Sequence, residues 1–217
     1  MQSAFAYVVV NTDEARREFD SQPVLLDAIA NGLSLSRYQA FLLELYHVVW
    51  HFNPVCAVAA SRMPDNLREI RYFLYEHMHE ESGHEQWVMN DLAAVGVPTE
   101  TTLSHRPRTY TLTMLGYNHW SAAQRDPASV LGMMYTLEVV ASVYGSLLSS
   151  AICESLQLQD DRGTSFIRSH ATMDSKHIAE LRNVIDKIDS KPAIGSIVES
   201  AKVNFHHFGQ VFATLPL

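Results

Sequence analysis

Cysteine is almost absent from this chain: Cys56 and Cys153 are the only two in 217 residues. Both stand in apolar helical stretches, where a thiol reads as a small core side chain; a disulfide between them stays open but nothing demands one, and two cysteines cannot make a four-cysteine zinc site. Basic residues are also few, 16 Lys and Arg against 24 Asp and Glu, for a net charge of −8. With no basic patch, a nucleic-acid partner is not expected. The opening stretch lacks the basic-then-apolar order of a secretory signal, and no apolar run reads as long enough for a membrane. A reducing cytoplasm and no membrane partner are therefore the expectation. Alternating strand patterns, internal repeats and low-complexity tracts are lacking too, which leaves helical periodicity as the organising signal.

What is present is an ordinary globular composition, 47% apolar and 18% charged, at a length that suits a single domain over 1–217 with its core at about 15–212. Residues 1–12 carry little pattern. Helical periods run over 13–30, with Pro23 as a divider and Asn31-Gly32 as a stop, and from a Ser34 or Ser36 cap to about Phe52. Pro54 marks a bend before an apolar segment to Ala60. A helix of more than seven turns is expected over 67–94, then loop over 98–108 and a helix over 110–123. The stretch 128–158 is apolar nearly all round and should be the central buried helix; two more follow over 164–188 and 193–212. The fold class is all-α, a helical bundle of about seven helices.

Chemistry concentrates in three places. His170-Ala171-Thr172-Met173-Asp174-Ser175-Lys176-His177 puts polar side chains at i, i+4 and i+7, so that a helix shows two imidazoles and one carboxylate on one face. Mixed nitrogen and oxygen donors on rigid backbone suit a first-row transition metal; a hydrogen-bonded surface cluster is the bland alternative. Glu138 is the only charged residue between Pro127 and Cys153. Buried there, it must be protonated, paired, or bound to something positive, and the neighbouring apolar helices hold few cations. The stretch 76–85 supplies Glu76, His77, His79, Glu80, Glu81, His84 and Glu85, with His77, Glu81 and His84 on one face. Glu81 is preferred over Glu80 because it falls beside His84.

Glu81, His84, Glu138, His170, Asp174 and His177 make three carboxylates and three histidines on three helices. That is too many for one ion that must leave room for substrate. Two Fe(II) ions bridged by a carboxylate fit the set, with Glu138 in the bridge and Glu81, Glu138 and Asp174 as the catalytic carboxylates. Dioxygen is then the co-substrate, because iron can supply its electrons.

On these residues the chain resembles the haem-oxygenase-like di-iron oxidases and oxygenases. That family carries a Glu and a His on an early core helix, a lone Glu on the middle helix and His-x3-Asp-x2-His on a late one. The matching positions are Glu81 and His84, Glu138, then His170, Asp174 and His177; residues 23–34 and Tyr38-Gln39-Ala40-Phe41 also look like the start of this fold. The likeness covers about 15–212. Some members place the early Glu seven residues before the His, where this chain has His77, so His77 is a candidate seventh ligand. The resemblance implies oxidation, cleavage, decarboxylation, N-oxygenation or nitrile formation on a small carboxylic acid, an amino acid ahead of a fatty acid. It also implies a small-molecule substrate, with a homodimer and an external electron donor as further candidates.

Glu44, His47 and Glu80 are candidates for extra ligands or for support around the metals. His51 shares the face of Glu44 and His47, His119 and Trp120 are candidates for a pocket rim, and Arg106, Arg108 and Arg168 for a substrate-carboxylate anchor. The competing reading is a metal-free enzyme of the same fold, similar to thiaminase-like hydrolases or to cofactor-biosynthesis oxidases. It requires an active-site cysteine or a cationic pocket. A non-catalytic helical scaffold is the remaining alternative, and it leaves Glu138 and the late-helix spacing unexplained.

Overall fold

The computed structural model describes residues 2–216, with every side chain among them except those of Asp174 and Ser175. Ser3 starts the first helix, its hydroxyl accepting the Ala6 amide at 3.3 Å, and α1 then runs Ala4–Asp20. Residues 4–12 are thus helical rather than weakly patterned. Val8 and Thr12 are fully buried, and that packing overrides the low helix propensity of the Val8-Val9-Val10 run. Pro23 divides the next stretch as expected and opens α2 (Pro23–Asn31), which Gly32 ends at φ +74°.

Ser34 caps α3 (Leu35–Arg62), which runs on past Phe52 and contains Pro54. The expected long helix over 67–94 is two helices. After a 3-10 turn at Asp65–Leu67, α4 covers Arg68–Glu80 and α5 covers His84–Ala94, parted where Gly83 takes φ +93°. The expected loop 98–108 contains a short helix, α6 (Thr99–Ser104), before α7 (Thr109–Gln124). Pro127 opens a 3-10 turn, Pro127–Ser129, that leads into α8 (Val130–Ser155). Then come α9 (Ser165–Ile185) and α10 (Lys191–Ala213). The described residues form ten α-helices and no strand, so the all-α class stands. The count exceeds seven because the stretches 13–30 and 67–94 are each two helices and the expected loop 98–108 holds a short one.

Helix α8 is the shared packing partner of α2, α9 and α10. By length and composition Pro127–Ser155 suits a membrane span, against the expectation that no apolar run does. Its neighbours, and Glu138 in its middle, give it the position of a core helix instead. Two glycines let helices approach it. A Cβ on Gly145 would lie 2.9 Å from the Ala171 Cβ and 3.0 Å from the Ile167 carbonyl oxygen of α9. A Cβ on Gly132 would run into the Ile197 carbonyl oxygen of α10 and stand 2.8 Å from the Ala201 nitrogen. Backbone has no rotamer to yield, so Gly132→Ala should cost about 2–3 kcal/mol in chemical denaturation. Gly116→Ala, with no heavy atom near the added carbon, should be neutral or stabilise by about 1 kcal/mol or less. Equal stability of the two variants would sink this account of the α8–α10 crossing.

Candidate metal centre

The break between α4 and α5 puts Glu81 at the C-cap of α4 and His84 at the start of α5. The two side chains still meet: His84 Nδ1 lies 2.7 Å from Glu81 Oε2. From α9, His170 donates its Nδ1 proton to the Phe166 carbonyl oxygen at 3.0 Å. A carbonyl only accepts, so that bond fixes the tautomer and leaves the Nε2 lone pair facing the cluster. His170 Nε2 is 3.6 Å from Glu81 Oε2 and 3.2 Å from His84 Nδ1. Trp87 stacks on His84 at 4.1 Å between ring centroids, and Phe166 stacks on His170 at 4.0 Å. These aromatic walls keep water from that side.

The other oxygen of Glu81 faces a second group. Glu81 Oε1 is 3.9 Å from both His77 Nε2 and His177 Nδ1. Glu138 closes the set, with Oε1 3.4 Å from His77 Nε2 and Oε2 3.2 Å from His177 Nδ1. Donor atoms thus converge as two buried groups, His77–Glu81–Glu138–His177 and Glu81–His84–His170. Glu81 belongs to both. Among the described residues it, and not Glu138, is the carboxylate that spans the two groups. Asp174, a sequence candidate on the same helix face, lies outside the described side chains.

The donor set fits metal ions on one further observation. His77 is 2% exposed, yet neither of its ring nitrogens makes a hydrogen bond. A buried imidazole with no hydrogen bond is costly, and coordination satisfies it. Electrostatics agree. Burial pushes the Glu81 carboxyl up, but the hydrogen bond from His84 and the His170 ring beside it outweigh that and hold the group well below its ordinary value. Glu138 behaves likewise: burial raises it, and the hydrogen bond from His177, with the His77 ring beside it at 3.4 Å, brings it below. The hydrogen bond to Glu138 raises His177, against its burial. Both carboxylates therefore stay ionised in a buried place, ready for cations.

An apolar cavity of about 110 Å³ ends at the cluster. Its walls come from α2, α3, α8, α9 and α10, including Phe41, Val48, Phe52, Leu148 and Phe212, and its polar lining residues are Glu81, Glu138, His170 and Tyr144. Tyr144 donates to Asp20 Oδ1 at 2.6 Å. No Arg or Lys is among the described lining residues; Arg168, a sequence candidate for an anchor, pairs instead with Asp161 at 3.4 Å. Neither Arg106 nor Arg108 lines the cavity. Cys56 is fully buried, its thiol pushed up by burial and by Glu81 and Glu138, and Cys153 sits 3.3 Å from the Thr164 hydroxyl. Both thiols are free, and neither lines the cavity.

Several candidates lie elsewhere. Glu44 is not at the metals: it accepts the Arg108 amide at 3.0 and 3.2 Å, at the N-terminus of α7. His47 Nε2 is 3.1 Å from His105 Nδ1, and His51 Nδ1 is 2.9 Å from His119 Nε2. Positions 44, 47 and 51 face α7 and the segment before it, whereas the cavity stripe of α3 is Phe41, Leu45, Val48, Val49 and Phe52. Trp120 is exposed, with the Arg125 guanidinium 5.6 Å above its ring, and forms no rim. Glu80 does support the cluster, its Oε2 3.3 Å from His177 Nε2 while its Oε1 accepts from Lys176 at 2.8 Å.

Asp91 was not visible as a functional residue in the sequence. Its buried carboxylate accepts from the Gly163 amide at 3.1 Å, the Ser165 amide at 3.0 Å, the Ser165 hydroxyl at 2.7 Å and the Phe166 amide at 2.8 Å. One side chain of α5 thereby caps α9 and fixes the helix of His84 against that of His170.

The outer histidine pairs carry a pH prediction. Burial lowers His47, His51 and His119 below 6.5, helped at His47 by His105 and at His51 by His119. A lowered imidazole binds its proton later in the folded state than in the unfolded one, so these groups withdraw stability as pH falls below about 6.5. His177, raised, has the opposite sign: its contribution is present below about 6.5 and is lost as pH rises through its folded value. The apo-protein Tm should therefore fall less steeply between about pH 8 and about pH 5 in His51→Gln/His119→Gln than in the wild type. Parallel curves would remove the pair from the account.

A model of iron-containing redox enzymes matches residues 39–203. No curated protein matches the chain. Among solved structures, a domain of unknown function with a haem-oxygenase-like fold from Shewanella denitrificans is similar over 94% of this chain and 89% of its own, at 23% identity and a TM-score of 0.84. A TenA homologue from Pseudomonas syringae pv. tomato is similar over 99% and 93%, at 14% identity and a TM-score of 0.82. Haem oxygenase from Leptospira interrogans is similar over 99% and 100%, at 16% identity and a TM-score of 0.79. TM-scores at this level, at identities under 25%, establish a shared haem-oxygenase-like fold and no more.

Proposed function

This chain belongs to the iron-containing redox enzymes, and on that premise we propose that it is a non-haem di-iron oxidase or oxygenase using dioxygen on a fatty-acid-like substrate. The observation that carries the reading is Glu81, shared by two buried donor groups at the inner end of an apolar cavity. His77, His177 and Glu138 would hold one ion, His84 and His170 the other, with Glu81 between them. Asp174 joins them on sequence spacing. Two Fe(II) ions, when bound, supply the positive charge and the electrons that dioxygen reduction requires.

The chain's own residues do the rest. Glu81 and Glu138 are held ionised by their histidines, so they bring negative charge to the ions without first losing a proton. The bond from His170 Nδ1 to the Phe166 carbonyl oxygen holds its ring in the ligating tautomer. Phe41, Val48, Leu148 and Phe212 exclude water and take up an alkyl chain. Without Arg or Lys among the lining residues, a substrate carboxylate finds its positive partner only at the ions, which orients the acid head inward. That favours a fatty acid over the amino acid preferred from sequence, because a zwitterion's second charge would face an apolar wall. The metal-free reading lacks both a cavity cysteine and a cationic pocket among the described residues.

The test is anaerobic reconstitution with Fe(II), followed by oxygen uptake and product analysis over medium-chain fatty acids, amino acids and uncharged alkyl amines. About two irons per chain and uptake with the fatty acids are expected. One iron or none, with no uptake across the panel, would overturn the di-iron reading; uptake with amino acids alone would overturn the substrate class.

A further inference from the structure

A second cleft, of different chemistry, borders the donor cluster at His77. Between α4 and α9 lies a cleft lined by Glu69, Glu76, Glu80 and Glu180, with the ammonium of Lys187 3.8 Å from Glu69 Oε2. At the cluster end of this cleft, Lys176 Nζ spans the two helices, 2.8 Å from Glu80 Oε1 and 3.4 Å from Glu180 Oε1. The cleft's inner wall includes His77, the buried imidazole whose ring nitrogens make no hydrogen bond. His77 is therefore both a lining residue of the cleft and a member of the donor cluster, while Glu81, Glu138 and His170 line the apolar cavity. The cavity and the cleft meet α9 at different ends, at 166–170 and at 180–184.

We propose that the acidic cleft between α4 and α9 is the entry port for the divalent metal ion, delivering it to the cluster at His77 and leaving the apolar cavity to substrate. This rests on the reading of the cluster as a metal centre. A hydrated dication in the apolar cavity would shed water against Leu, Val and Phe side chains that offer nothing in exchange. In the cleft, carboxylate oxygens replace that water, and clustered negative charge raises the local cation concentration and the association rate. The ammonium of Lys176 already occupies the point where Glu80 and Glu180 converge, so an arriving dication exchanges with a monovalent counter-ion. His77, which lines the cleft and stands 3.4 Å from Glu138, is the first cluster donor on this route.

The probe is Co(II), mixed rapidly with the full-length apo protein and followed by quenching of Trp87, which stacks on His84. Glu69→Gln/Glu76→Gln/Glu180→Gln should bind on the order of tenfold more slowly than wild type, with a shallower dependence on ionic strength. Its equilibrium stoichiometry should match wild type, because none of the three belongs to either donor group. Ala141→Trp, which fills the apolar cavity, should bind at the wild-type rate. An unchanged rate and salt dependence in the triple variant, at normal stoichiometry, overturns the port alone. Slow binding in Ala141→Trp, with a normal triple variant, assigns entry to the cavity. Failure of the wild type to bind Co(II) at equilibrium overturns both the port and the metal-centre reading beneath it.

Discussion

Glu81→Ala should leave a folded chain that retains less than one iron and has lost oxidative turnover. One side chain serves both donor groups, so its removal takes a ligand from each position at once. Glu138→Ala should behave differently. It strips only the His77–His177 side, and His84, His170 and Glu81 remain to hold about one iron. Turnover should fall by roughly a thousandfold in both variants, equivalent to ~4 kcal/mol of barrier, because dioxygen chemistry at this site requires two ions. Alanine is a good helix former, and each change also removes a buried charge, so neither fold should collapse. Iron per folded chain, read beside apo-protein Tm, separates the cases. Two irons in Glu81→Ala would sink the shared-carboxylate assignment. Lost stability with full iron would turn Glu138 into half of a structural ion pair.

Ala141→Trp should abolish turnover of alkyl-chain substrates, by about a hundredfold or more, and leave the iron in place. Ala141 lines a cavity of about 110 Å³, and an indole there takes the room that an alkyl chain would use. A milder change sharpens the test. Ala141→Leu should shift preference towards shorter acids, with each lost methylene contact worth about 0.8 kcal/mol. Product yield over a chain-length series checks both. Unaltered chain-length preference in Ala141→Leu would mean that substrate lies elsewhere.

How far the site could be read from sequence depended on whether helical period alone decided each residue's neighbours. His170 and His177 were legible because α9 is unbroken through them, and Glu138 because a lone charge in an apolar helix has few explanations. Glu81 was chosen for a reason that does not hold, adjacency to His84 on one continuous helix; the chain breaks at Gly83 and the two meet across the break. His77 stayed optional because its inward aim depends on how α4 docks, which no spacing encodes. Glu44, His47 and His51 were placed near the metals, but that stripe of α3 faces α7, one residue's rotation from the cavity stripe. Asp91 escaped notice because capping a helix from another helix is a tertiary act with no local signature. The helix over 4–12 was missed likewise, since its stability comes from burial rather than propensity.

The Asp91 cap has a mechanical consequence. It grips α9 at Gly163, Ser165 and Phe166, and Gly145 presses the same end of the helix at Ile167 and Ala171. Those contacts make the first turns of α9 a fulcrum. At ~1.5 Å per residue, His170 stands ~6 Å along the axis from Phe166 and His177 ~16 Å. Any tilt about that end therefore carries His177 nearly three times as far as His170. The lever arm makes the His84–His170 position the stiff one, and the position shared by His77, Glu138 and His177 the one whose span a small rocking of α9 can adjust.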